Sequence, residues 1–94
     1  MTKGFDMELF LSGMLTGSYA TRHRHIRQAK TMQAAIQQRW QRTTPWHWQQ
    51  KHVNWFLGRH LENHSQATRY YYRLTARLII ERLRRPQSWI YETH

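Results

Sequence analysis

Residues 65–86 read SQATRYYYRLTARLIIERLRRP, and the pattern of this segment decides the fold class. Ser65 is a good helix N-cap and Pro86 cannot continue a helix, so the segment predicts one helix with defined ends. Its apolar side chains recur every three or four residues, as they do on one face of a helix. That broad face predicts a place in the core of a helical bundle. It consists of two adjoining stripes, Ala67, Tyr71, Leu74 and Leu78 beside Tyr72, Ala76, Ile79 and Leu83.

Three more helices are predicted upstream of this segment. The first covers residues 6–15, and the second, over residues 19–42, is the longest. The third begins at Thr44, a good N-cap, with Pro45 in the first helical position, and ends near residues 61–63. The second helix carries an apolar stripe at helical spacing, formed by Ala29, Met32, Ile36 and Trp40.

The chain as a whole therefore predicts an all-α fold, a small four-helix bundle. No segment alternates apolar and polar residues as a strand does, and no Asn-Gly or Asp-Gly hairpin signal occurs. Residues 1–85 are expected to form the domain. Residues 86–94 are expected to form a linker or tail, from which Trp89 and Ile90 can dock on the domain.

Composition narrows the classes of function. Hydrophobic residues make up 39% of the 94 residues, too many for a disordered basic tail, so a compact core is expected. The formal net charge of +10 attracts polyanions, and nucleic acid is the first candidate partner. An anionic membrane surface is the second candidate. It is disfavoured because polar breaks separate the helices and the aromatic residues are expected to be buried.

The absence of cysteine excludes disulfides and Cys-based zinc sites, and it is typical of a reducing compartment. The longest apolar stretch, residues 7–15, is too short to span a bilayer, and its flank lacks the charge of a secretory signal. These features predict a cytoplasmic protein with no membrane partner.

Catalysis by this chain is not expected. The five acidic residues have no spacing suited to acid–base chemistry, and no Gly-rich phosphate loop occurs. His60 and His64 are four residues apart, but no carboxylate at a fitting spacing completes a metal site. The histidines are interpreted as solvated or capping residues. The sequence thus predicts no catalytic residue, no metal and no cofactor.

The aromatic residues divide between the core and the surface. Trp40, Trp48 and Trp55 lie on apolar stripes and are predicted to be core residues. Trp46 follows a proline and either packs at the start of the third helix or stacks on a ligand. Residues 70–72 are three tyrosines, which point about 100° apart on one helix. Two of them extend the apolar stripes, whereas Tyr70 groups with the charged residues.

Two basic patches are the candidate DNA-binding residues. Both lie near the amino end of a helix, where backbone N–H groups and the helix dipole favour phosphate. Two such helices side by side can straddle a duplex, with arginines and hydroxyls meeting phosphates or base edges. The second helix contributes Arg22, His23, Arg24, Arg27 and Lys30, and the fourth contributes Ser65, Thr68, Arg69, Tyr70, Arg73 and Arg77.

Residues 43–83, TTPWHWQQKHVNWFLGRHLENHSQATRYYYRLTARLIIERL, resemble the amino-terminal core-binding domain of phage-integrase-type tyrosine recombinases. The resemblance lies in KHVNWFL on one helix, a polar loop, and SQATRYYYRLTARLI opening the next helix with a Ser-x-x-Thr. The preceding ATRHRHIRQAKTMQAAIQQRW is similar to the family's earlier long helix, with its basic start and aromatic end. The match covers about residues 20–83.

The resemblance implies a SAM-like helical bundle that clamps a recombination site together with a catalytic domain of the same parent chain. It implies major-groove contacts from residues 22–27 and from Ser65, Thr68 and Arg69. The family's catalytic arginines, histidine and nucleophilic tyrosine belong to a carboxyl-terminal domain that this sequence does not contain. The chain is therefore expected to be a fragment of an integrase or a free-standing relative, without recombinase activity of its own.

The predicted function is that of a DNA-binding domain of a site-specific tyrosine recombinase of a phage or mobile element, acting in DNA integration. Its expected partners are double-stranded DNA and the catalytic domain. The isolated chain is expected to be a monomer, and whether it forms oligomers on DNA is left open. The alternative is a small plasmid or phage accessory factor that binds or regulates a protein through its Trp- and His-rich third helix. DNA affinity in a monomer favours the first, and a stable oligomer without DNA affinity favours the second.

Overall fold

A computed structural model describes residues 5–91, and within that range the fold is all-α, as predicted. Within residues 5–91, five α-helices follow one another, with one 3₁₀ turn before the third and one π-helical turn after it. The radius of gyration, 12.6 Å, is that of a compact domain of this length. The helices are α1 (Met7–Phe10), α2 (Tyr19–Trp40), α3 (Gln50–Trp55), α4 (Gln66–Leu83) and α5 (Ser88–Tyr91).

The first helix is shorter than the predicted residues 6–15. The Asp6 carboxylate caps it by accepting a hydrogen bond from the Leu9 N–H at 3.1 Å, and it ends at Phe10. Gly13 has φ +85°, a left-handed conformation that does not continue a helix. The chain therefore turns back early and brings α1 against α2.

The long helices α2 and α4 begin as the sequence predicts. Ser18 and Ser65 are their N-caps, and each hydroxyl accepts from the backbone N–H three residues on, both at 3.1 Å. Both helices end in a left-handed residue other than glycine, Gln41 at φ 58° and Arg84 at φ 59°. Pro86 follows two residues after the second of these ends.

The third helix starts later than predicted. Pro45 opens a 3₁₀ turn (Pro45–His47), and Thr44 makes no side-chain capping bond. Helix α3 begins at Gln50, where Gln49 and His52 cap each other reciprocally. The helix then widens into a π-helical turn over Phe56–His60, in which the Leu61 N–H donates to the Phe56 carbonyl at 3.2 Å.

His52 is fully buried, and its Nδ1 accepts from the Gln49 N–H at 2.9 Å. An accepting Nδ1 leaves the ring neutral, with its proton on Nε2. Burial, helped by the nearby charges of Arg42 and Lys51, lowers the pKa of His52 below its usual 6.5. The ring packs against Trp40, with centroids 4.6 Å apart, so this histidine belongs to the core.

The core lies between α2, α3 and α4, and α1 and α5 close its ends. The predicted stripe of α2 is buried at Ala29, Met32 and Ile36. On α4 one of the two predicted stripes is buried and the other is not. The buried face runs through Thr75, Ala76, Ile79, Ile80 and Leu83, whereas Ala67 and Tyr71 are exposed and Leu74 and Leu78 are half-buried.

Three tryptophans reach or border the core in the predicted way. Trp48 is buried and its Nε1–H donates to the Gln33 side chain at 3.1 Å, whereas Trp40 and Trp55 are half-buried. Trp46 remains 49% exposed and packs edge-on against Phe10 at 5.2 Å. In the predicted tail, Ile90 is buried and α5 packs against α3 and α4, so residues 88–90 dock on the domain.

Candidate nucleic-acid interface

Helices α2 and α4 meet through a buried polar cluster centred on Thr75. The Thr75 hydroxyl donates to the Gln28 Oε1 at 2.7 Å and lies 2.8 Å from the Nδ1 of His25. Since that hydroxyl has one hydrogen and gives it to Gln28, the histidine nitrogen is the donor of the second bond. All three side chains are buried. The cluster fixes the position of the amino-terminal half of α2 on α4.

His25 is neutral in this arrangement. Burial, and then the charge of Arg24 beside it, lowers the pKa of His25 below 6.5. A protonated ring would gain a positive charge beside an arginine in a buried site, which is unfavourable. His25 therefore serves the helix contact and is not a phosphate-binding cation.

One continuous contact joins the two predicted DNA-binding patches. The Arg24 guanidinium of α2 stacks 4.4 Å above the ring of Tyr71 on α4. The ring of Tyr71 in turn meets the ring of Tyr70 edge-on, with centroids 5.5 Å apart. Tyr70 and Tyr71 are 57% and 40% exposed and Arg24 is half-buried, so the two rings form the solvent-facing part of this contact. We refer to Arg24, Tyr70 and Tyr71 as the junction.

The remaining residues predicted on α2 spread around the helix. Arg22 and His23 line a shallow depression on the α1 side together with Glu8 and Leu15. Lys30 lies on the same side, and its Nζ is 3.4 Å from a carboxylate oxygen of Glu8, in the one ion pair within residues 5–91. Both ends of that pair are well exposed, which makes it a weak contact.

Arg27 is exposed one turn after His23. Among the residues predicted on the second helix, Arg24 is the one whose side chain is seen against α4, where it meets Tyr71.

The residues predicted on α4 also fall into two groups, those that cap the helix and those whose side chains play no part in the cap. The Ser65 and Thr68 hydroxyls bond each other at 2.9 Å as part of the helix cap, so this capping role accounts for both. Arg69 and Arg73 are half-buried, and Arg77 is exposed one turn further on. Tyr70 is the most exposed of the three tyrosines, which agrees with its predicted place on the charged side.

The structure thus places Arg24 and Tyr70 against the same ring, that of Tyr71, and leaves Arg22, His23 and Lys30 on the α1 side of the helix. Sequence reasoning missed Tyr71, because the apolar stripe it extends is not the buried one. It also missed the buried cluster of His25, Gln28 and Thr75. The spacing on α2 could have indicated this cluster. His25 lies four residues before Ala29 and Gln28 four residues before Met32, so both fall on the core stripe.

Within the described range, no group of three or more His, Asp or Glu residues is placed to hold a metal ion. In that same part of the chain, none of the helices has the length and apolar character needed to cross a bilayer. Comparison of the chain with protein families, with curated proteins and with solved structures gave no significant match.

Proposed function

We propose that this chain is a DNA-binding domain and that the junction is the centre of its DNA contact. The observation that carries the proposal is the stacking of Arg24 on Tyr71 at 4.4 Å, because it joins the basic halves of α2 and α4 into one exposed surface. A guanidinium held by an aromatic ring, with no carboxylate partner among residues 5–91, is available to a phosphate. The formal charge of +10 supplies the long-range attraction that such a site needs.

The neighbouring groups suit a nucleic-acid backbone. The Tyr70 hydroxyl can donate to a phosphate, a common contact in protein–DNA complexes. Arg27 on α2 and Arg69 on α4 are further cations that could flank the junction. The uncharged His25 behind the junction keeps α2 and α4 together without competing for the phosphate.

Binding of a fluorescent 20-base-pair duplex at 50 and 200 mM KCl tests the proposal. Arg27→Gln is the informative variant, because Arg27 is exposed and no contact of its side chain holds the fold together. Loss of one phosphate contact should weaken binding and lower the slope of log K against log salt by about 0.9. Arg59→Gln is the matched control, since Arg59 is an exposed arginine in the π-helical turn outside the predicted interface.

NMR titration of the labelled domain with the same duplex locates the contact. Chemical-shift changes should cluster on residues 22–27 and 65–77 and fade at high salt. Equal effects of Arg27→Gln and Arg59→Gln, together with shifts spread over the whole surface, would contradict a defined DNA face.

We further propose that the DNA bound is the recombination site of a tyrosine recombinase, with a role in DNA integration. This step is supported by the resemblance of residues 20–83 to a core-binding, SAM-like domain and by the all-α fold. In that role a catalytic domain of the parent chain would complete the clamp. Selection from a random duplex library tests it, because a site-specific domain enriches one sequence motif, whereas charge-driven binding alone enriches none.

A second candidate is an accessory factor that binds a protein, and one observation favours it. The Arg39 guanidinium lies 4.9 Å above Trp40 and 5.2 Å above Trp55, on a half-exposed aromatic surface between α2 and α3. Arginine and tryptophan are enriched at the energetic centres of protein interfaces. A stable oligomer or complex that Trp55→Ala disrupts, in a chain without DNA affinity, would select this candidate.

A further inference from the structure

An open groove along the second half of α4 lies outside the junction, although Leu74 and Arg77 in its lining also fall within the segment where DNA-induced shifts are expected. It lies between the loop before α2, the second half of α4 and the connection to α5, and encloses about 690 Å³. Its walls combine apolar and cationic side chains. Its lining includes Met14, Leu74, Leu78, Arg77, Arg84 and Arg85.

The floor of the groove is apolar. Met14, Leu74 and Leu78 are each half-buried, and the two leucines lie one turn apart on α4. The two leucines belong to the α4 stripe that the sequence predicts to be buried and that the fold leaves partly exposed. Apolar surface of this kind, bordered by charge, is typical of a site that another molecule covers.

The rim of the groove is cationic. Arg77, Arg84 and Arg85 are exposed, and none of them has a carboxylate partner among the described residues. Glu81 is the one acidic side chain in the lining, so three arginines against one glutamate leave a net charge of +2. His25 also lines the groove and is neutral, with a lowered pKa. The groove is therefore electrostatically suited to an anionic ligand.

Arg84 occupies an unfavourable backbone position at this rim. Its φ of 59° and ψ of 38° are left-handed, and its N–H caps the end of α4. Glycine is the usual residue in such a helix end, because a side chain there is sterically strained. The chain thus carries a cationic side chain at the rim despite a conformational cost.

We propose that the groove binds an acidic, amphipathic segment of a partner protein. Apolar side chains of the segment would cover Met14, Leu74 and Leu78, and its carboxylates would pair with the three arginines. A DNA duplex offers phosphates but no apolar side chains for the floor. This site is distinct from the junction, and the proposal does not depend on DNA binding.

The test uses a synthetic 12-residue peptide with leucines at helical spacing and glutamates elsewhere, capped at both ends. The control peptide has the same composition with the leucines dispersed around the helix. NMR titration should place the shifts of the first peptide on the groove. Binding of the control peptide should be weaker by about tenfold, because it cannot bury its leucines together.

Arg84→Gly separates binding from folding. The substitution relieves the backbone strain, so the melting temperature should stay the same or rise, while peptide affinity falls about three- to fivefold with the lost ion pair. Leu78→Gln should weaken binding about tenfold by removing apolar floor. Arg59→Gln, away from the groove, should bind like the unchanged chain.

The proposal would be overturned by equal binding of the two peptides, by no shifts at millimolar peptide, or by full affinity of the Arg84→Gly chain. Duplex binding by the Arg84→Gly chain distinguishes the peptide groove from the DNA contact. That variant should retain most of its DNA affinity if the junction is the DNA contact, whatever the peptide result.

Discussion

At the scale of single residues, His52 links the stability of the fold to pH. Its Nδ1 accepts the capping bond from Gln49 only while the ring is neutral. Because the pKa of His52 is lowered in the fold, the unfolded chain takes up the proton first as pH falls. The contribution of His52 is complete above pH 6.5 and is lost as pH falls through the folded pKa. His25, whose pKa is lowered too, acts in the same direction.

We therefore expect the free energy of unfolding to be lower at pH 5.0 than at pH 7.5. His52→Gln should reduce this difference, because glutamine at the third helical position keeps an acceptor for the cap and does not titrate. Urea unfolding followed by circular dichroism at both pH values measures the effect. The same pH dependence in both chains would show that His52 is not one of the groups responsible.

Thr75 is the second residue whose role can be isolated. Thr75→Val keeps the shape but leaves the His25 Nδ1–H and the Gln28 Oε1 without partners in a buried site. Each such loss costs about 1–3 kcal/mol, so the free energy of unfolding should fall by about 2–6 kcal/mol. Thr75→Ser keeps the hydroxyl and should cost about 1 kcal/mol for the lost methyl group. Chemical unfolding of the two variants compares them, and no loss in Thr75→Val beside a loss in Thr75→Ser would mean that packing alone accounts for Thr75.

At the scale of the elements, the end of α2 is strained where its start is not. Gln41 closes the helix at φ 58° and is exposed, so its side chain contributes no packing. Gln41→Gly should stabilise the fold by about 1 kcal/mol because it removes the steric cost of the left-handed conformation. The melting temperature should rise by about 4–8 °C for a domain of this size.

Gln38→Gly is the matched comparison, one turn earlier on the exposed side of the same helix. There glycine should destabilise the fold by about 1 kcal/mol relative to a good helix former. A fall in melting temperature for Gln38→Gly and a rise for Gln41→Gly would establish that backbone conformation, and not loss of the glutamine side chain, is responsible. A fall in melting temperature for both variants would contradict this account of the helix end.

The helices show which parts of the fold the sequence could predict. The starts of α2 and α4 follow from serine caps, which act through local hydrogen bonds and are readable from a few residues. The start of α3 does not, because Thr44-Pro45 is an equally good start for a 3₁₀ turn. The choice between the two α4 stripes depends on where α2 crosses, and that contact is made by polar side chains at His25, Gln28 and Thr75.

At the scale of the whole molecule, the candidate site also combines features that local sequence predicts with features that only tertiary contacts decide. Helical spacing correctly put Tyr70 on the charged side of α4, since that needs only one helix. It could not separate Arg22 from Arg24, because which of them meets α4 is decided by the tertiary contact with Tyr71. The charge of the chain, in contrast, is fixed by composition. Its effects on folding and on the proposed DNA binding can therefore be predicted without knowledge of the site.

Salt should act on those two processes in opposite directions. A net charge of +10 on a compact 94-residue chain destabilises the folded state by self-repulsion, and added salt screens that repulsion. We expect the melting temperature at pH 7.5 to rise between 20 and 200 mM NaCl. Over the same range DNA affinity should fall, because salt opposes the release of counterions from the phosphates.

The double variant Lys51→Gln and Arg59→Gln tests this explanation. Both residues are exposed and lie outside the predicted interface, and the substitutions reduce the net charge from +10 to +8. The salt-dependent rise in melting temperature should become smaller, because less repulsion remains to be screened. The slope of DNA affinity against salt should change little, since it counts the local phosphate contacts. A salt response of folding that is the same in both chains would mean that bound anions at specific sites, and not net charge, stabilise the fold.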